Sequence, residues 1–233
     1  MLARSSQRET VEALRQCLQE EVSARPEFSS GLDGDLPRTI RRGTLVEYLA
    51  ESGSGATALA LLTAREACRE GGALVVIDRS RTFYPPAAAA FGFNQDTILI
   101  RPHSRKDELW ALNQTLRCPG VGAMLCWPDQ LEERAFRGLQ IAAENGGSVG
   151  LFIRPMRVRG QPTWSDMQLL VEALPSEKLR RLRIEVVRSR CGHEGASAAV
   201  ELDDETGTLQ ISRSLPLAAE LAAATGAARP ARA

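Results

Sequence analysis

The residues with the clearest chemical potential form the stretch A-E-S-G-S-G-A-T, which begins at Ala50 between an apolar segment and an Ala- and Leu-rich one. A strand, a loop of small residues and a helix in this order direct backbone N–H groups toward an anion such as phosphate. The phosphate-binding pattern is G-x-x-x-x-G-K followed by Ser or Thr. Gly55 and Thr57 match this pattern, and Gly53 adds a further small residue. Ala50 stands in place of the first Gly, and Ala56 stands in place of the Lys. Because that Lys supports the charge of the terminal phosphates, the stretch indicates a degenerate nucleotide loop or, taken alone, an ordinary strand-to-helix turn.

A basic string, R-P-M-R-V-R, contributes Arg154, Arg157 and Arg159 directly after a later apolar segment. Arginines in such a loop are candidate contacts to DNA phosphates. A solvated loop in an Arg-rich chain is the alternative, and the composition favours it. Trp164 is the one aromatic residue nearby that could stack on a base.

Further arginines surround an alternating segment. They are Arg180, Arg181, Arg183, Arg188 and Arg190. The alternation in R-I-E-V-V-R places charges on one face of a strand and apolar side chains on the other, which favours protection of a sheet edge. The acidic run at 203–207 ends in Gly, and we interpret it as a hairpin turn in preference to a cation site.

Metal and thiol chemistry find little support. The five cysteines are Cys17, Cys68, Cys118, Cys126 and Cys191. They are scattered and contain no C-x-x-C pair, so a disulfide framework and a structural zinc site are both disfavoured. Buried free thiols in a reducing cytoplasm fit better. With only His103 and His193, we assign no metal site and expect no cofactor.

Composition excludes several classes of protein. The 29 basic residues balance the 29 acidic ones, and the pI is near 6.8, so bulk charge does not indicate nucleic-acid binding, although a local basic patch is compatible with it. The sequence contains no apolar run of the length that a transmembrane helix needs. The polar start of the chain argues against secretion, and we expect a cytoplasmic protein.

The middle of the chain alternates strands and helices. Continuous apolar runs predict strands at 44–50, 73–78, 97–101, 121–126 and 148–154. Helices are predicted at 57–70, 85–91, 105–117 and 130–145. This order is typical of a parallel α/β sheet flanked by helices. Residues 182–190 and 198–212 alternate apolar and polar side chains, which predicts antiparallel strands that extend one edge of the sheet.

The first segment, residues 1–27, is predicted to hold an amphipathic helix whose narrow apolar stripe includes Leu14 and Leu18. Pro26 and a Ser-, Gly- and Asp-rich stretch predict a loop after it. The α/β core is expected over residues 28–213.

The last segment, residues 214–233, is an Ala-rich tail that we expect to be partly disordered. Leu217 and Leu221 lie four residues apart and would form one small apolar ridge on a helix. Such a ridge is a candidate partner contact, and packing on the core or a solvated end are the alternatives.

Several strings resemble the core of the bacterial recombinase RecA in order and spacing. They are F-S-S-G-L-D-G-D-L-P, R-G-T-L-V-E-Y, the loop described above and V-V-I-D-R-S-R-T-F-Y-P. The resemblance covers roughly residues 28–212 and implies a RecA-like fold. It also implies which residues stand at the catalytic positions. Ala56 replaces the loop Lys, Ser80 replaces the catalytic Glu two residues after Asp78, and Trp127 follows the strand that should end in the magnesium-binding Asp. The resemblance therefore implies a pseudo-ATPase.

Other strings resemble the ImuA proteins, which are short RecA-like or SulA-like bacterial proteins encoded beside an inactive Y-family polymerase homologue, ImuB. They are V-V-I-D-R-S-R-T-F-Y-P-P-A-A-A-A, L-R-C-P-G-V-G-A-M-L-C-W-P-D, F-R-G-L-Q-I-A-A-E followed by a pair of glycines, and L-D-D-E-T-G. This resemblance implies a non-catalytic accessory role in damage-induced translesion synthesis. The implied partners are the polymerase homologue and RecA itself.

Two other functions stay open at this point. One is a weak ATPase in which an arginine such as Arg79 or Arg81 replaces the missing Lys. The other is a SulA-like inhibitor of cell division, which would bind the tubulin-like division protein.

Overall fold

The computed structural model describes residues 25–32, 35–93, 97–176, 178–203 and 205–211. The strands within these ranges are β1 (Glu27–Ser29), β2 (Thr39–Arg41), β3 (Leu45–Ala50), β4 (Ala73–Ile77), β5 (Thr97–Ile100), β6 (Val121–Cys126), β7 (Val149–Pro155), β8 (Met167–Leu174), β9 (Arg180–Ser189), β10 (Ser197–Asp203) and β11 (Thr208–Ile211). The helices are α1 (Ala56–Cys68), α2 (Pro85–Ala89), α3 (Arg105–Arg117) and α4 (Glu133–Gly146), together with a 3-10 turn at Met156–Val158.

A single nine-stranded sheet forms the centre of the molecule. Its strand order is β11-β10-β9-β8-β3-β7-β6-β4-β5. The strands from β8 to β5 are parallel, whereas β9, β10 and β11 continue the sheet in antiparallel pairs. The predicted fold class is therefore confirmed: a mostly parallel sheet flanked by helices, with antiparallel strands at one edge.

Helices cover the parallel strands on both faces. On one face α1 packs on β3, β6 and β7 through residues such as Leu59, Leu62 and Tyr48. On the other face α3 and α4 pack on β4, β6 and β7, where the rings of Phe136 and Phe152 meet edge to face at 5.7 Å. Burial on both faces explains why these strands read as continuous apolar runs in the sequence.

Two elements were not predicted. The stretch expected to be a loop after Pro26 forms the hairpin of β1 and β2, with Glu27 opposite Arg41. The strand β8 lies between β3 and β9 in the middle of the sheet. Its Gln168 and Glu172 interrupt an otherwise apolar run, so no clear period marks it as a strand.

The cysteines differ in exposure. Cys126 is buried as expected, and Cys68 is half-buried, but Cys118 and Cys191 are exposed. The expectation of buried thiols was wrong for Cys118 and Cys191. Across the described ranges, the structure contains no helix that is both long and apolar enough to cross a bilayer.

The predicted helix with Leu14 and Leu18, and the tail with Leu217 and Leu221, lie outside the described residues. The segment bounds at 27 and 213 therefore stay predictions.

Candidate functional site

The loop between β3 and α1, residues 51–55, lies at the carboxyl edge of the parallel strands. Gly53 and Gly55 have φ angles of +81° and +93°, which glycine adopts without strain. The Ser54 amide donates to the Glu51 carbonyl at 3.2 Å, which closes the turn. The 13-residue helix α1 then begins at Ala56, with no side-chain cap and no acidic residue in its first turn. The strand–loop–helix unit predicted from the sequence is confirmed.

The start of β9 lies directly against this loop. A Cβ atom on Gly55 would be 2.8 Å from Cδ of Arg180 and 2.8 Å from a methyl of Leu182. The reason is topological: β9 is antiparallel to β8, so it starts at the edge where the parallel strands end. Arg180, interpreted above as edge protection, is therefore a neighbour of the loop.

A cleft of about 620 Å³ opens beside the β3–α1 loop. Its wall is mainly apolar and aromatic, and includes Ala50, Ala56, Phe83, Tyr84, Phe91, Trp127, Ile153 and Pro155. The rings of Phe83 and Trp127 lie 5.8 Å apart. The polar residues lining the cleft include Thr57, which matches the pattern, as well as Thr82 and Ser54.

Four charged residues also line the cleft: Glu51, Asp129, Arg154 and Arg180. Asp129 forms an exposed ion pair with Arg157 at 3.5 Å. The sequence analysis missed Asp129 and Arg180 as cleft residues. The signal for Asp129 was its place two residues after Trp127, at the end of β6.

The carboxylate of Asp78, at the end of β4, is fully buried. Its oxygens accept hydrogen bonds from the amides of Thr82 and Phe83, each at 3.0 Å, and from the Ser80 hydroxyl at 3.3 Å. These bonds order the segment that brings Phe83 to the cleft. Asp78 therefore holds the backbone of the segment that follows β4, and Ser80 donates a hydrogen bond to its carboxylate.

The arginines proposed as replacements for the missing Lys lie elsewhere. Arg79 donates to Glu108 of α3 at 2.9 Å, and neither Arg79 nor Arg81 is among the residues that line the cleft. The expectation that one of them stands in for the Lys is not met, and Arg180 is the arginine beside the loop.

Arg154 is buried in an ion pair. Its side chain is only 4% exposed, and its Nη1 donates to Oε1 of the fully buried Glu47 at 2.6 Å. The other carboxylate oxygen accepts hydrogen bonds from Thr163 at 2.6 Å, from Ser165 at 2.9 Å and from Gln168 at 3.0 Å. The expected contact between Arg154 and DNA is corrected by this geometry, because its charge faces Glu47 and not solvent.

Arg157 and Arg159 are placed as a surface contact would require. Arg157 is 66% exposed beside Asp129, and Arg159 is exposed and pairs with Glu185 at 3.2 Å. The structure therefore separates the three arginines of the basic string into one buried group and two surface groups. Only the surface pair stays a proposal for DNA contact.

The alternation predicted for β9 is confirmed, but the expected protection of a sheet edge is wrong, because β9 pairs with β8 on one side and with β10 on the other. Leu182, Ile184 and Val186 are buried on the α1 face, and Arg180 lies beside Gly55 at the end of the same face. Arg181, Arg183 and Glu185 lie on the other face. There they form cross-strand ion pairs, including Arg183 with Glu172 of β8 at 3.5 Å.

The turn at 203–207 is also as predicted. The Gly207 amide donates to the Asp203 carbonyl at 2.9 Å, and Gly207 has a positive φ of 59°. Hydrogen bonds from the amides and hydroxyl of the turn lower the pKa of Asp203. Within the described ranges no group of three or more His, Cys, Asp and Glu residues is placed to hold a metal ion.

The sheet order, the loop at the carboxyl edge and the helices on both faces define a RecA-like α/β protein. Comparison with solved structures agrees: the crystal structure of the RadB recombinase matches with a TM-score of 0.57 at 16% identity, over 71% of this chain and 90% of that chain. This likeness concerns the fold.

In sequence, the chain is similar to the protein RecA of Blastochloris viridis, with 30% identity over 168 residues. It is similar to the RecA of a Methylobacterium species, with 29% identity over 178 residues. These matches cover 70% and 74% of this chain but only 41% and 42% of the relatives. The chain thus spans about two fifths of the length of the curated relatives that it matches. No family model matches the sequence.

Proposed function

We propose that the protein is a non-catalytic, RecA-like accessory protein of the bacterial DNA-damage (SOS) response. It acts by protein–protein interaction in an error-prone translesion synthesis complex of the kind to which the ImuA proteins belong. The similarity to RecA supports a role related to DNA damage and recombination, and the ImuA-like strings support the narrower role.

One observation carries the non-catalytic part of this proposal: the cleft has a nucleotide-loop shape and an apolar lining. Ala56 supplies no cation at the start of α1, and Trp127 stands as an aromatic wall where a magnesium ligand is expected. Phosphoryl transfer depends almost entirely on positioning and on stabilisation of charge by cations. A cleft without those groups can still bind a ligand, but it lacks the charged groups that catalyse phosphoryl transfer.

The proposed partners are the inactive Y-family polymerase homologue and RecA. In the described part of the chain, β5 is an outer strand that pairs only with β4. Its Ile98 is 51% exposed, and Trp110 on α3 is 66% exposed. An outer strand can accept a strand from another protein, which suits assembly with a second RecA-like subunit.

The partner proposal is tested by pull-down with three purified baits: the polymerase homologue, RecA and the tubulin-like division protein. We expect capture by the first two. Capture by the division protein alone would contradict the proposal in favour of the SulA-like alternative. Trp110→Ala should weaken binding to RecA, with Trp164→Ala as the control for loss of an indole elsewhere.

The tail is tested separately by deleting residues 216–233. We expect the melting temperature to change little and binding to the polymerase homologue to be lost, because a short apolar segment folds upon its partner. Full affinity in the truncated protein would show that the contact lies on the core or on the N-terminal segment that includes Leu14 and Leu18.

A weak ATPase is the second candidate, and the position of Arg180 beside Gly55 is the observation that favours it. ATP titration followed by tryptophan fluorescence, using Trp127 in the cleft as the reporter, together with an assay of phosphate release, separates the two candidates. A nucleotide-dependent signal that Arg180→Gln abolishes would support the ATPase.

A further inference from the structure

We propose that the exposed face of α3 and the uncovered side of β5 bind an acidic amphipathic helix of a partner protein. Apolar side chains of that helix pack on Ile98 and Trp110, and its carboxylates lie against Lys106 and Arg117. This inference rests on the proposed function, because it names the chemistry of the partner segment that meets the β5 side of the molecule.

Among the described residues, β5 lacks the cover that the inner parallel strands have. In the β4–β5 register Ile98 lies beside Val75, so both side chains point to the face that carries α3. Val75 is buried in the core on that face, whereas Ile98 is 51% exposed, because α3 packs on β4 and β6. Parallel strands are usually covered on both faces, and helices are the elements that cover them. A further helix beside α3 would therefore complete this layer over β5.

The exposed face of α3 carries one continuous stripe. Lys106, Trp110, Gln114 and Arg117 are spaced by four, four and three residues, so they lie along one side of the helix. All four are exposed, and Trp110 is the large apolar side chain at the centre. Tryptophan is prominent among the anchors of protein interfaces. The stripe thus offers an apolar anchor between two positively charged ends.

The charges of the segments that meet here favour an acidic partner. Segments 78–81 and 101–117 together hold six cationic side chains and three carboxylates. Lys106 and Arg117 are exposed and have no ion-pair partner among the described residues. A partner that brings carboxylates to these two positions is complementary in charge, which favours it over neutral or basic partners.

The three carboxylates of these segments are already engaged. Asp78 is held by the backbone after β4, and the buried Glu108 contacts Arg79 at 2.9 Å and Arg105 at 3.7 Å. Asp107 accepts a hydrogen bond from the Ser104 hydroxyl at 2.7 Å.

The acidic residues of the next connection lie on the other side of α3. Helix α4 packs over β7, where Phe136 meets Phe152, so it lies on the side of α3 away from β5. The carboxylates of α4 and of the loop before it are Asp129, Glu132, Glu133 and Glu144. They leave the β5 side of the stripe positive.

The stripe also sets the length of the partner segment. Lys106 and Arg117 lie eleven residues apart, which is about 16 Å along a helix at 1.5 Å per residue. A partner helix of roughly three turns reaches both ends, with an apolar residue facing Trp110 between the two carboxylates.

The test uses two synthetic peptides with the same amphipathic pattern and opposite charge. Both carry leucine on one helical face over about 18 residues, which exceeds the marginal length for a helix. One has glutamate at its polar positions, and the other has lysine. In a Trp127→Phe, Trp164→Phe variant of the full chain, Trp110 is the single indole and reports binding. We expect a saturable blue shift with the acidic peptide and at least roughly tenfold weaker binding of the basic one, since like charges across an interface repel.

A charge swap separates docking at this surface from a general attraction. In the Lys106→Glu, Arg117→Glu variant the preference should reverse, so that the basic peptide binds at least roughly tenfold more tightly than the acidic one. Lys178→Glu with Arg69→Glu is the matched control, because it makes the same change of charge at exposed positions away from α3 and β5. It should leave the preference for the acidic peptide intact. Ile98→Glu should abolish binding of the acidic peptide.

The outcomes distinguish this inference from the proposed function. Equal binding of the two peptides, or no reversal in the swapped variant, would overturn the inference, while capture of the polymerase homologue and RecA would keep the proposed function standing. Binding and reversal as predicted, without capture of either protein, would support this surface and overturn the proposed function.

Other occupants of the surface give different results. A single-stranded oligonucleotide that binds more tightly than the acidic peptide, and loses that binding with Trp110→Ala, would overturn the proposal in favour of a nucleic-acid surface. A dimer in light scattering that Ile98→Glu abolishes would overturn it in favour of a second copy of this chain.

Discussion

Two connections that leave the carboxyl edge of the sheet are built in opposite ways. The β3–α1 loop (residues 51–55) is shaped by backbone turns and glycines, and its Ser54 hydroxyl lacks a hydrogen-bond partner within the described ranges. The β7–β8 loop (residues 156–166) is tied by side chains, since Thr163 and Ser165 both donate to the buried Glu47. The loop with the nucleotide-site shape keeps an open cleft, while the loop expected to meet DNA is anchored to the core.

The difference teaches that the shape of a loop and the chemistry of its side chains are set by different residues. Glycines and small residues form the turn before α1, while Ala56 and Trp127 stand where the resemblance to RecA places a cation and a metal ligand. At the end of β7, just before the β7–β8 loop, Arg154 of the basic string is the structural partner of the Glu47 carboxylate. A short pattern in the sequence therefore does not by itself determine the role of its residues, because that role depends on the side chains that they contact in the fold.

The largest expected effect comes from breaking the anchor of the β7–β8 loop. Glu47→Ala leaves Arg154 buried without its partner, and removing one member of a buried pair costs about 3–5 kcal/mol of unfolding free energy. Chemical denaturation measures this loss. Glu185→Ala, which removes the half-buried partner of the exposed Arg159, should cost less than about 1 kcal/mol. Similar small losses for both variants would show that the buried network is not the anchor.

The next effect tests the backbone of the β3–α1 loop. Gly55→Ala forces a side chain into a positive φ and against Arg180 and Leu182, so we expect it to destabilise the fold by about 1–3 kcal/mol. Gly53→Ala meets the same backbone strain, but its Cβ would contact nothing within 4 Å. The extra loss at Gly55, read from denaturation midpoints, measures the packing of β9 on the loop. Equal losses would mean that this packing contributes nothing.

A smaller effect concerns DNA. If the β7–β8 loop contacts duplex phosphates, replacing Arg157 and Arg159 together by Ala should reduce the salt slope of binding by roughly 1.8, because each phosphate contact contributes about 0.9. An unchanged slope in a fluorescence-anisotropy titration would identify a solvated loop. Arg69→Ala together with Arg117→Ala, at two exposed positions, controls for the loss of two positive charges.

The smallest effect is expected on the charged face of the antiparallel strands. Arg183 and Glu172 are half-exposed cross-strand neighbours, and such pairs contribute roughly 0.2–1 kcal/mol. A double-mutant cycle with alanine at both positions should give a coupling energy in that range. A coupling well above it would show that this face contributes to stability as a network.

The sequence alone was sufficient to predict the parallel core, because strands buried on both faces and the helices between them leave strong local patterns. Helix α3 has the predicted bounds, 105–117, and begins after Ser104, which accepts a hydrogen bond from the Asp107 amide. The burial of Arg154 could not be predicted, since its partner Glu47 lies 107 residues away in the chain. The same holds for Arg180, which reaches the β3–α1 loop only through the reversal of direction at β9.

The central claim is that the cleft has kept the shape of a nucleotide site without its chemistry. Isothermal titration with ATP and magnesium tests it most directly, using the native chain and an Ala56→Lys variant. We predict no tight binding and no hydrolysis by either protein, since restoring the Lys alone leaves Ser80 and Trp127 where carboxylates are needed. Magnesium-dependent ATP affinity in the low micromolar range for the native chain would contradict the claim.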